Sequence, residues 1–242
     1  MPKHVLVNSV DHQNLKVITE RSASYGDNVW YSLTFPSEFR SLQAYYPVFF
    51  QKDANTGKFH AVALFGFENE ENLFLKNNQW DASYIPLTIA RQPFSIGIHT
   101  VQEEGEEKKQ RMLNIDMDNP RVNNESGEAL FLPHGGNSPY LDMMADMLEV
   151  IHHGMLDSEK FINQLIELEL LESFTLDVTL NDGSQYQMLG FYTINEDKLN
   201  ELNGPELEEL QRQGYLQAIY MAIASQANVR NLMNRKNALL GQ

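Results

Sequence analysis

The amino-acid sequence predicts an α+β fold with a β-rich N-terminal half and a C-terminal half of helices around a β-hairpin. In residues 1–118, short apolar runs are separated by turn-forming residues, which is typical of strands. From residue 138, apolar side chains recur with a period of about 3.6, which is typical of helices. We therefore expect a single α+β domain over residues 1–242, or two closely packed halves at 1–118 and 138–242.

The N-terminal residues predict three short strands followed by one short helix. The strands are expected within residues 5–7, 15–18 and 29–35, between polar turns. Pro36 favours the start of a helix of one or two turns, because its fixed backbone angle suits the first helical position. This helix is expected to end by Tyr45.

A hairpin is predicted at Asn55-Thr56-Gly57, between strands at 47–52 and 58–67. The second of these strands is almost entirely apolar, so both of its faces are expected to be buried. A helical turn at 70–74 and a short helix within 82–91 are expected to follow.

The middle of the chain predicts a second hairpin and then an irregular stretch. Residues 102–110 (QEEGEEKKQ) are expected to form a charged tip between strands at 95–101 and 111–116. Residues 117–138 are rich in Asn, Pro and Gly, which makes them the best internal boundary. Ordered loops of this kind also tend to carry functional sites.

The C-terminal half predicts two helices, a hairpin and two further helices. Ser138 can cap the first helix with Pro139 at its first position, and Asp157 or Ser158 is expected to cap a second helix. The remaining predicted elements are strands at 173–181 and 185–193 around Asn181-Asp182-Gly183, a helix from Pro205 past Gly214 to about Ala224, and a last helix from Ser225 or Asn228 to about Leu240.

The two apolar hairpins resemble each other, which suggests a duplicated hairpin–helix unit. In each, a strand following a Gly-containing turn ends in Gly-Phe, at Gly66-Phe67 and at Gly190-Phe191. An acidic turn and a leucine then follow in both. Glycine at a strand end permits a bulge or a close backbone approach, so the repeat is expected to be architectural. The alternative is coincidence, because hairpins that end in Gly-aromatic are common.

A series of short motifs, in a fixed order along nearly the whole chain, resembles the SapC-like family. The matching motifs are Tyr46-Pro47, Phe49-Phe50-Gln51-Lys52-Asp53, Val62-Ala63-Leu64-Phe65-Gly66, Glu71-Asn72-Leu73-Phe74, Trp80-Asp81-Ala82-Ser83-Tyr84-Ile85-Pro86, Arg91-Gln92-Pro93-Phe94, Gly127-Glu128-Ala129-Leu130-Phe131, Leu189-Gly190-Phe191-Tyr192 and Gly214-Tyr215-Leu216-Gln217-Ala218-Ile219-Tyr220.

The resemblance implies a soluble bacterial protein of a family named after a gene of a surface-array locus and loosely associated with peptide transport. Its members are often encoded near flavin-dependent tryptophan-halogenase-like proteins, cupin-type oxygenase-like proteins and TonB-dependent receptors. The family supplies no catalytic residue set to transfer. An unrelated membrane permease shares the name, and the lack of any apolar run of about 20 residues in this sequence excludes that identity.

The net charge of −15 is concentrated in one part of the chain. Residues 111–210 carry 20 acidic and four basic residues, whereas 211–242 carry four basic residues and no acidic one. Such a balance opposes nucleic-acid binding, which needs a basic surface, and disfavours contact with an anionic membrane. The excess charge is interpreted as a solvated acidic face, with a docking surface for a basic peptide as the alternative.

The sequence contains no cysteine, which excludes disulfides, thiolate metal sites and a cysteine nucleophile. The first 15 residues lack the apolar core and the cleavage site of a secretory signal. We therefore expect a cytoplasmic protein without membrane insertion.

Catalytic or metal-binding motifs are weak. Glu149 and His152 have the E-x-x-H spacing of di-iron bundles, but such sites need two copies and the sequence has one. With Asp142, Asp146 and His153, they are better explained as a solvated helix stripe. His134-Gly135-Gly136 resembles an oxyanion-hole loop, yet the G-x-S-x-G motif that accompanies such loops is missing. No metal or cofactor site is therefore predicted.

The remaining hypothesis for an enzyme is a metal-dependent oxygenase or peptide-modifying enzyme built from distant histidines. A cupin-like iron site would need two histidines and a carboxylate on one strand face, for which His60, His99 and Asp116 are candidates. His12 and His134 are the other scattered histidines considered. The spacing of these residues does not favour such a site.

The leading hypothesis is a non-catalytic binding or accessory protein that recognises a peptide or a protein partner. Aromatic and proline residues are concentrated in one part of the sequence, and part-exposed aromatic side chains make effective contact surfaces. Burial is nevertheless the commoner state of each large aromatic residue. The predicted binding surface consists of Tyr46, Trp80, Tyr84, Arg91 and Phe94.

Overall fold

The computed structural model describes residues 3–103 and 106–241, which form an α+β fold as predicted. Its strands are β1 (His4–Leu6), β2 (Lys16–Val17), β3 (Tyr31–Thr34), β4 (Val48–Lys52), β5 (Phe59–Leu64), β6 (Leu75–Lys76), β7 (Gln79–Trp80), β8 (Phe94–Glu103), β9 (Glu106–Asp116), β10 (Val122–Asn123), β11 (Glu128–Ala129), β12 (Leu171–Thr179) and β13 (Gln185–Ile194). Its α-helices are α1 (Phe39–Leu42), α2 (Leu87–Ala90), α3 (Pro139–Glu167), α4 (Glu196–Glu201), α5 (Gly204–Arg212), α6 (Tyr215–Ser225) and α7 (Asn228–Leu240).

The largest sheet is antiparallel and has the strand order β12-β13-β4-β5-β3. It places the two predicted hairpins side by side, with β13 paired to β4 through Phe191↔Gln51 and Tyr192↔Phe50. Strands from both halves of the chain therefore share one hydrogen-bonded sheet.

The other strands form three smaller sheets. The hairpin β8–β9 pairs with β1, and most of the charged stretch 102–110 predicted as its tip belongs to these two strands. Residues 104 and 105 lie outside the described residues. The stretch 117–138, expected to be irregular, contributes β10 and β11, which pair with β2 on either side. Strands β6 and β7 pair with each other.

Helix α3 corrects the prediction of two separate helices after residue 138. Ser138 caps it as predicted, with its hydroxyl accepting a hydrogen bond from the Leu141 amide, but the helix runs without interruption for 29 residues. Asp157 lies within this helix and does not cap a second one. Its carboxylate accepts a hydrogen bond from the Tyr215 hydroxyl at 2.9 Å. Ser158 is buried in the helix interior.

The length of α3 lets it bridge two hydrophobic cores. The first half packs into a core with the β1-β9-β8 sheet through Leu141, Met144, Leu148 and Ile151. The second half packs into the core of the five-stranded sheet through Phe161, Ile162 and Leu165. The Phe161 ring lies 6.2 Å from that of Phe50 on β4, so this half covers one face of the sheet.

Three further element predictions are wrong in detail. Residues 70–74 form turns rather than a helical turn, because Glu70 has a φ of 60°. The helix predicted to pass Gly214 is divided there into α5 and α6, since Gly214 has a φ of 79°. Helix α4 was not predicted; Asn195 caps it by accepting a hydrogen bond from the Lys198 amide.

The two Gly-Phe pairs have different structural roles. Gly190 lies inside β13 with a φ of 81°, close to a register shift opposite Phe174 and Leu176. Gly66 follows β5, and a Cβ atom there would lie 2.8 Å from the carbonyl oxygen of Glu71. Gly190 permits a bulge inside β13, whereas Gly66 permits a close approach to the backbone of Glu71. The two Gly-Phe pairs are therefore not equivalent positions of one repeated unit.

Candidate functional site

The predicted binding surface is mostly interior, which corrects the expectation that it is open to a partner. Tyr46 and Phe94 have no exposed area, and Trp80 is 9% exposed. Tyr84 and Arg91 are half-buried. Three of the five predicted residues are therefore part of the hydrophobic cores, and the segment 80–94, called here the Trp80–Phe94 arm, presents little aromatic surface.

The polar atoms of these aromatic residues form hydrogen bonds within the protein. The Trp80 indole N–H donates to the Tyr46 hydroxyl at 2.7 Å, and that hydroxyl donates to the Tyr84 carbonyl oxygen. Burial raises the pKa of the Tyr46 hydroxyl, which keeps it a neutral donor. These bonds fix the Trp80–Phe94 arm against the five-stranded sheet, so Tyr46 and Trp80 have a structural role.

The chain of bonds ends at Glu38, a buried carboxylate that the sequence did not single out. It accepts hydrogen bonds from the Thr34 hydroxyl at 2.6 Å, the Tyr84 hydroxyl at 3.0 Å and the Leu87 amide at 2.7 Å. All three donors are neutral. Burial raises the pKa of Glu38, and these hydrogen bonds oppose that rise only in part.

A second buried polar group is Arg121, which has no exposed area. Its guanidinium donates to the carbonyl oxygens of Ile18 and Glu20 and to the Asp27 carboxylate. Arg21 shares the same carboxylate at 3.4 Å. These contacts connect loops that are distant in sequence, so the cluster is structural.

The histidines proposed for a metal site are not brought together. His60 lies on β5 of the five-stranded sheet, His99 lies on β8 of another sheet, and His134 lies in the loop before α3. Asp116 accepts a hydrogen bond from the Lys3 amide instead. Within residues 3–103 and 106–241, there is no group of three or more His, Asp or Glu residues placed to hold a metal ion.

The E-x-x-H pair on α3 lies at the surface. Arg111 contacts both Glu149 and His152 at 3.2 Å, and His153 lies 3.6 Å from Glu149. The side chains of Glu149, Arg111 and His153 are each about half exposed or more. This arrangement matches the expected solvated stripe.

A different site, which we call the α3 groove, lies between the second half of α3 and the β3–β5 end of the five-stranded sheet. Its volume is about 610 Å³. It is lined by Leu33, Thr34, Lys52, Gly57, Lys58, Phe59, His60, Ala61, Met155, Ser158, Glu159, Ile162, Asn163 and Ile166.

The α3 groove has an apolar floor that remains open to solvent. Leu33 from β3 and Ile166 from α3 are 42% and 47% exposed, respectively. Phe59, Met155 and Ile162 complete the apolar lining. Leu33 is opposite Val62 in the strand register, so its side chain lies on the sheet face away from α3, and Ile166 is the exposed aliphatic residue on the helix side. An exposed apolar lining in a concave site is typical of ligand-binding surfaces.

The rim of the groove on the sheet side is cationic because of the β4–β5 hairpin. Lys52 and Phe59 are opposite each other in the strand register, and the Lys52 ammonium lies 5.4 Å from the centre of the Phe59 ring. The Lys58 ammonium lies 3.3 Å from the Glu159 carboxylate across the groove. The turn itself is held by Asp53, whose carboxylate accepts a hydrogen bond from the Asn55 amide.

The turn chemistry also acts on the ionisation of Asp53. Hydrogen bonds from the Thr56 amide and hydroxyl hold the pKa of Asp53 below its usual value. The hydrogen bonds of Asp53 close the turn between Lys52 and Lys58, and the turn places both residues at the rim of the groove. Sequence reasoning found this hairpin but not the groove, since the position of α3 over the sheet has no local signal.

Among the described residues, the structure contains no helix long and apolar enough to cross a membrane. Comparison with protein-family models identified one family, described as SapC, whose model matches residues 7–232. Neither the curated proteins nor the solved structures contain a match to this chain.

Proposed function

The chain belongs to the SapC family, and we propose that it is a non-catalytic binding or accessory protein that holds a peptide segment of a partner in the α3 groove. The observation that carries this proposal is the exposure of Ile166 beside the half-buried Met155 and Phe59 in the lining of one concave site. The cytoplasmic location expected from the sequence is part of the same proposal.

The dimensions of the groove support a ligand of a few residues. Its volume of about 610 Å³ lies within the range of about 300–1,000 Å³ typical of ligand sites. Burial of apolar area contributes about 25 cal/mol per Å², so covering the exposed Ile166 side chain and its apolar neighbours favours binding. The walls are a long helix and a hydrogen-bonded sheet, and such a preformed site loses little entropy when it is occupied.

The groove replaces the Trp80–Phe94 arm as the proposed contact surface. The aromatic residues of the arm already use their hydroxyl and indole groups within the fold, and Tyr46 and Phe94 have no area left to contact a partner. The groove, by contrast, has part-exposed apolar walls and charged groups at its edge. It therefore has the combination of an apolar centre and a polar rim found in interfaces.

The proposal is tested by selecting a phage-displayed library of random 12-residue peptides against the purified protein. We expect enriched sequences that bind the wild type and lose binding to the variant Ile166→Asp. The control is Leu189→Asp, which places the same charge at a side chain that is 64% exposed and lies outside the groove lining.

All three proteins are first checked for folding by circular dichroism and thermal unfolding. Enriched peptides that bind the groove variant as well as the wild type would contradict the proposed site. A library that yields no enriched sequence would contradict the proposed function itself.

A further inference from the structure

We propose that the α3 groove selects acidic peptides, meaning segments of a partner protein in which apolar side chains alternate with Asp or Glu. This inference rests on the proposed function and adds the chemical class of the ligand. It runs against the net charge of −15, which by itself favours a basic partner.

The first observation is the sign of the charges around the groove. Lys52 and Lys58 come from the β4–β5 hairpin, and Glu159 is the acidic residue in the lining. The protein as a whole has 33 acidic and 18 basic residues, so this rim has the opposite balance. A ligand within the groove is therefore in contact with a locally cationic surface.

The second observation is that both lysines are available to a ligand. Lys58 pairs with Glu159 at 3.3 Å, but the two side chains are 67% and 64% exposed, so the pair contributes little to stability and can be exchanged. Among the described residues, Lys52 has no carboxylate within ion-pair distance, and its ammonium lies over the Phe59 ring. A carboxylate of the ligand therefore forms an ion pair with the Lys52 ammonium.

The third observation is the order of polar and apolar groups across the groove. Lys52 and Phe59 are directly opposite each other on neighbouring strands, so an ammonium group and an aromatic ring lie next to each other on the sheet side of the groove. On the helix side, Asn163 is exposed among the apolar residues and offers hydrogen-bonding groups to a peptide backbone. This pattern matches a chain with alternating apolar and acidic side chains.

Long-range repulsion by the rest of the protein does not remove this preference. The interaction between exposed charges is screened over about 10 Å at an ionic strength of 0.1 M, whereas ion pairs in contact are screened less. The acidic segment 111–210 therefore slows the approach of an acidic peptide, and the lysines at the rim determine which peptide stays bound.

The test uses three synthetic seven-residue peptides with Leu, Phe and Leu at alternate positions. The other four positions are all Glu, all Gln or all Lys, and a neutral fluorophore reports binding by anisotropy. We expect the Glu peptide to bind about tenfold more tightly than the Gln peptide, as two surface ion pairs together provide, and the Lys peptide to bind weakest.

Two variants with the same change in net charge separate local from global electrostatics. Lys52→Glu/Lys58→Glu is expected to reverse the order of the peptides. Lys76→Glu/Lys198→Glu changes the net charge equally, but neither residue lines the groove, so the order is expected to stay. Equal effects of the two double variants would overturn the inference, and so would equal binding of the three peptides by the wild type.

The remaining outcomes distinguish this inference from the proposed function. If the library selection succeeds but the Glu peptide shows no advantage, the acidic preference is wrong and the peptide-binding function stands. If neither the library nor the three peptides bind, both are wrong. Tighter binding of sodium dodecanoate than of the Glu peptide would identify a fatty acid as the occupant and overturn the assignment to a peptide.

Discussion

Replacement of Glu38 is expected to produce a large and pH-dependent change in stability. In Glu38→Ala, the Thr34 hydroxyl, the Tyr84 hydroxyl and the Leu87 amide all lose their acceptor. A buried donor left without a partner costs about 1–3 kcal/mol. Thr34 is 1% exposed, while Tyr84 and Leu87 reach solvent in part, so we expect a loss of about 3 kcal/mol in the free energy of unfolding.

Glu38→Gln is the matched control, because it keeps the shape and one acceptor oxygen. The Thr34 hydroxyl can accept a hydrogen bond from the new amide, so we expect a loss of about 1 kcal/mol or less. A loss in Glu38→Ala no larger than that in Glu38→Gln would refute the assigned role of the three donors.

The pH dependence follows from the direction of the pKa shift. Because burial raises the pKa of Glu38 in the folded state above its ordinary value of 4.5, the folded protein binds this proton more tightly than the unfolded chain. The contribution of Glu38 to stability is therefore greatest below pH 4.5 and decreases as the pH rises through the folded pKa. Glu38→Gln lacks this dependence.

The assay is urea unfolding followed by the fluorescence of Trp30 and Trp80, repeated between pH 4 and pH 8. The difference in unfolding free energy, wild type minus Glu38→Gln, isolates the ionisation of Glu38. We expect this difference to fall with rising pH and then to level off. A difference that stays constant or increases with pH would refute the reasoning.

Two further stability predictions concern close packing and a part-buried ion pair. Gly154→Ala places a Cβ atom 2.3 Å from the ring of Phe35, so we expect a net loss of about 1–2 kcal/mol despite better helix propensity, measured by urea unfolding. Phe35→Leu should relieve this overlap, so the loss in the double variant Gly154→Ala/Phe35→Leu should be smaller than the sum of the two single losses. Additive losses would contradict the overlap. Lys236→Ala leaves the part-buried carboxylate of Glu71 without its ammonium partner, and we expect a loss of about 1–3 kcal/mol. Lys198→Ala removes an exposed pair and should change stability by less than about 0.5 kcal/mol, and equal losses at both lysines would refute the role of burial.

Local sequence signals predicted much of the secondary structure. The hairpins at Asn55-Thr56-Gly57 and Asn181-Asp182-Gly183 form where the turn residues indicate, and Ser138 caps α3 as its side chain predicts. These features depend on neighbouring residues, so the sequence specifies them directly.

The corrections arise where tertiary contacts outweigh local preference. Asp157 and Ser158 indicate a new helix, yet Ser158 is buried and Asp157 accepts a bond from Tyr215, a residue 58 positions away. Gly154 lies within α3, and the ring of Phe35, more than 100 positions earlier, packs against it. Such long-range contacts carry no periodic signal in the sequence.

The burial of Tyr46, Trp80 and Phe94, three residues of the predicted binding surface, has a related reason. Tyr46, Trp80 and Phe94 were expected to share in a contact surface because aromatic residues are concentrated there, but composition does not show which side of the chain faces the core. The α3 groove combines the β4–β5 hairpin with a helix about 100 residues later in the sequence. The register of the hairpin already places Lys52 opposite Phe59, and this pair was the one available sequence signal for the site.

The most direct test of the peptide-binding account is hydrogen–deuterium exchange of the protein with and without the acidic seven-residue peptide. The account predicts slower exchange in β3, in the hairpin at 52–60 and in α3 between Met155 and Ile166, with no change in the Trp80–Phe94 arm. Protection of the arm, with unchanged exchange around the groove, would contradict it.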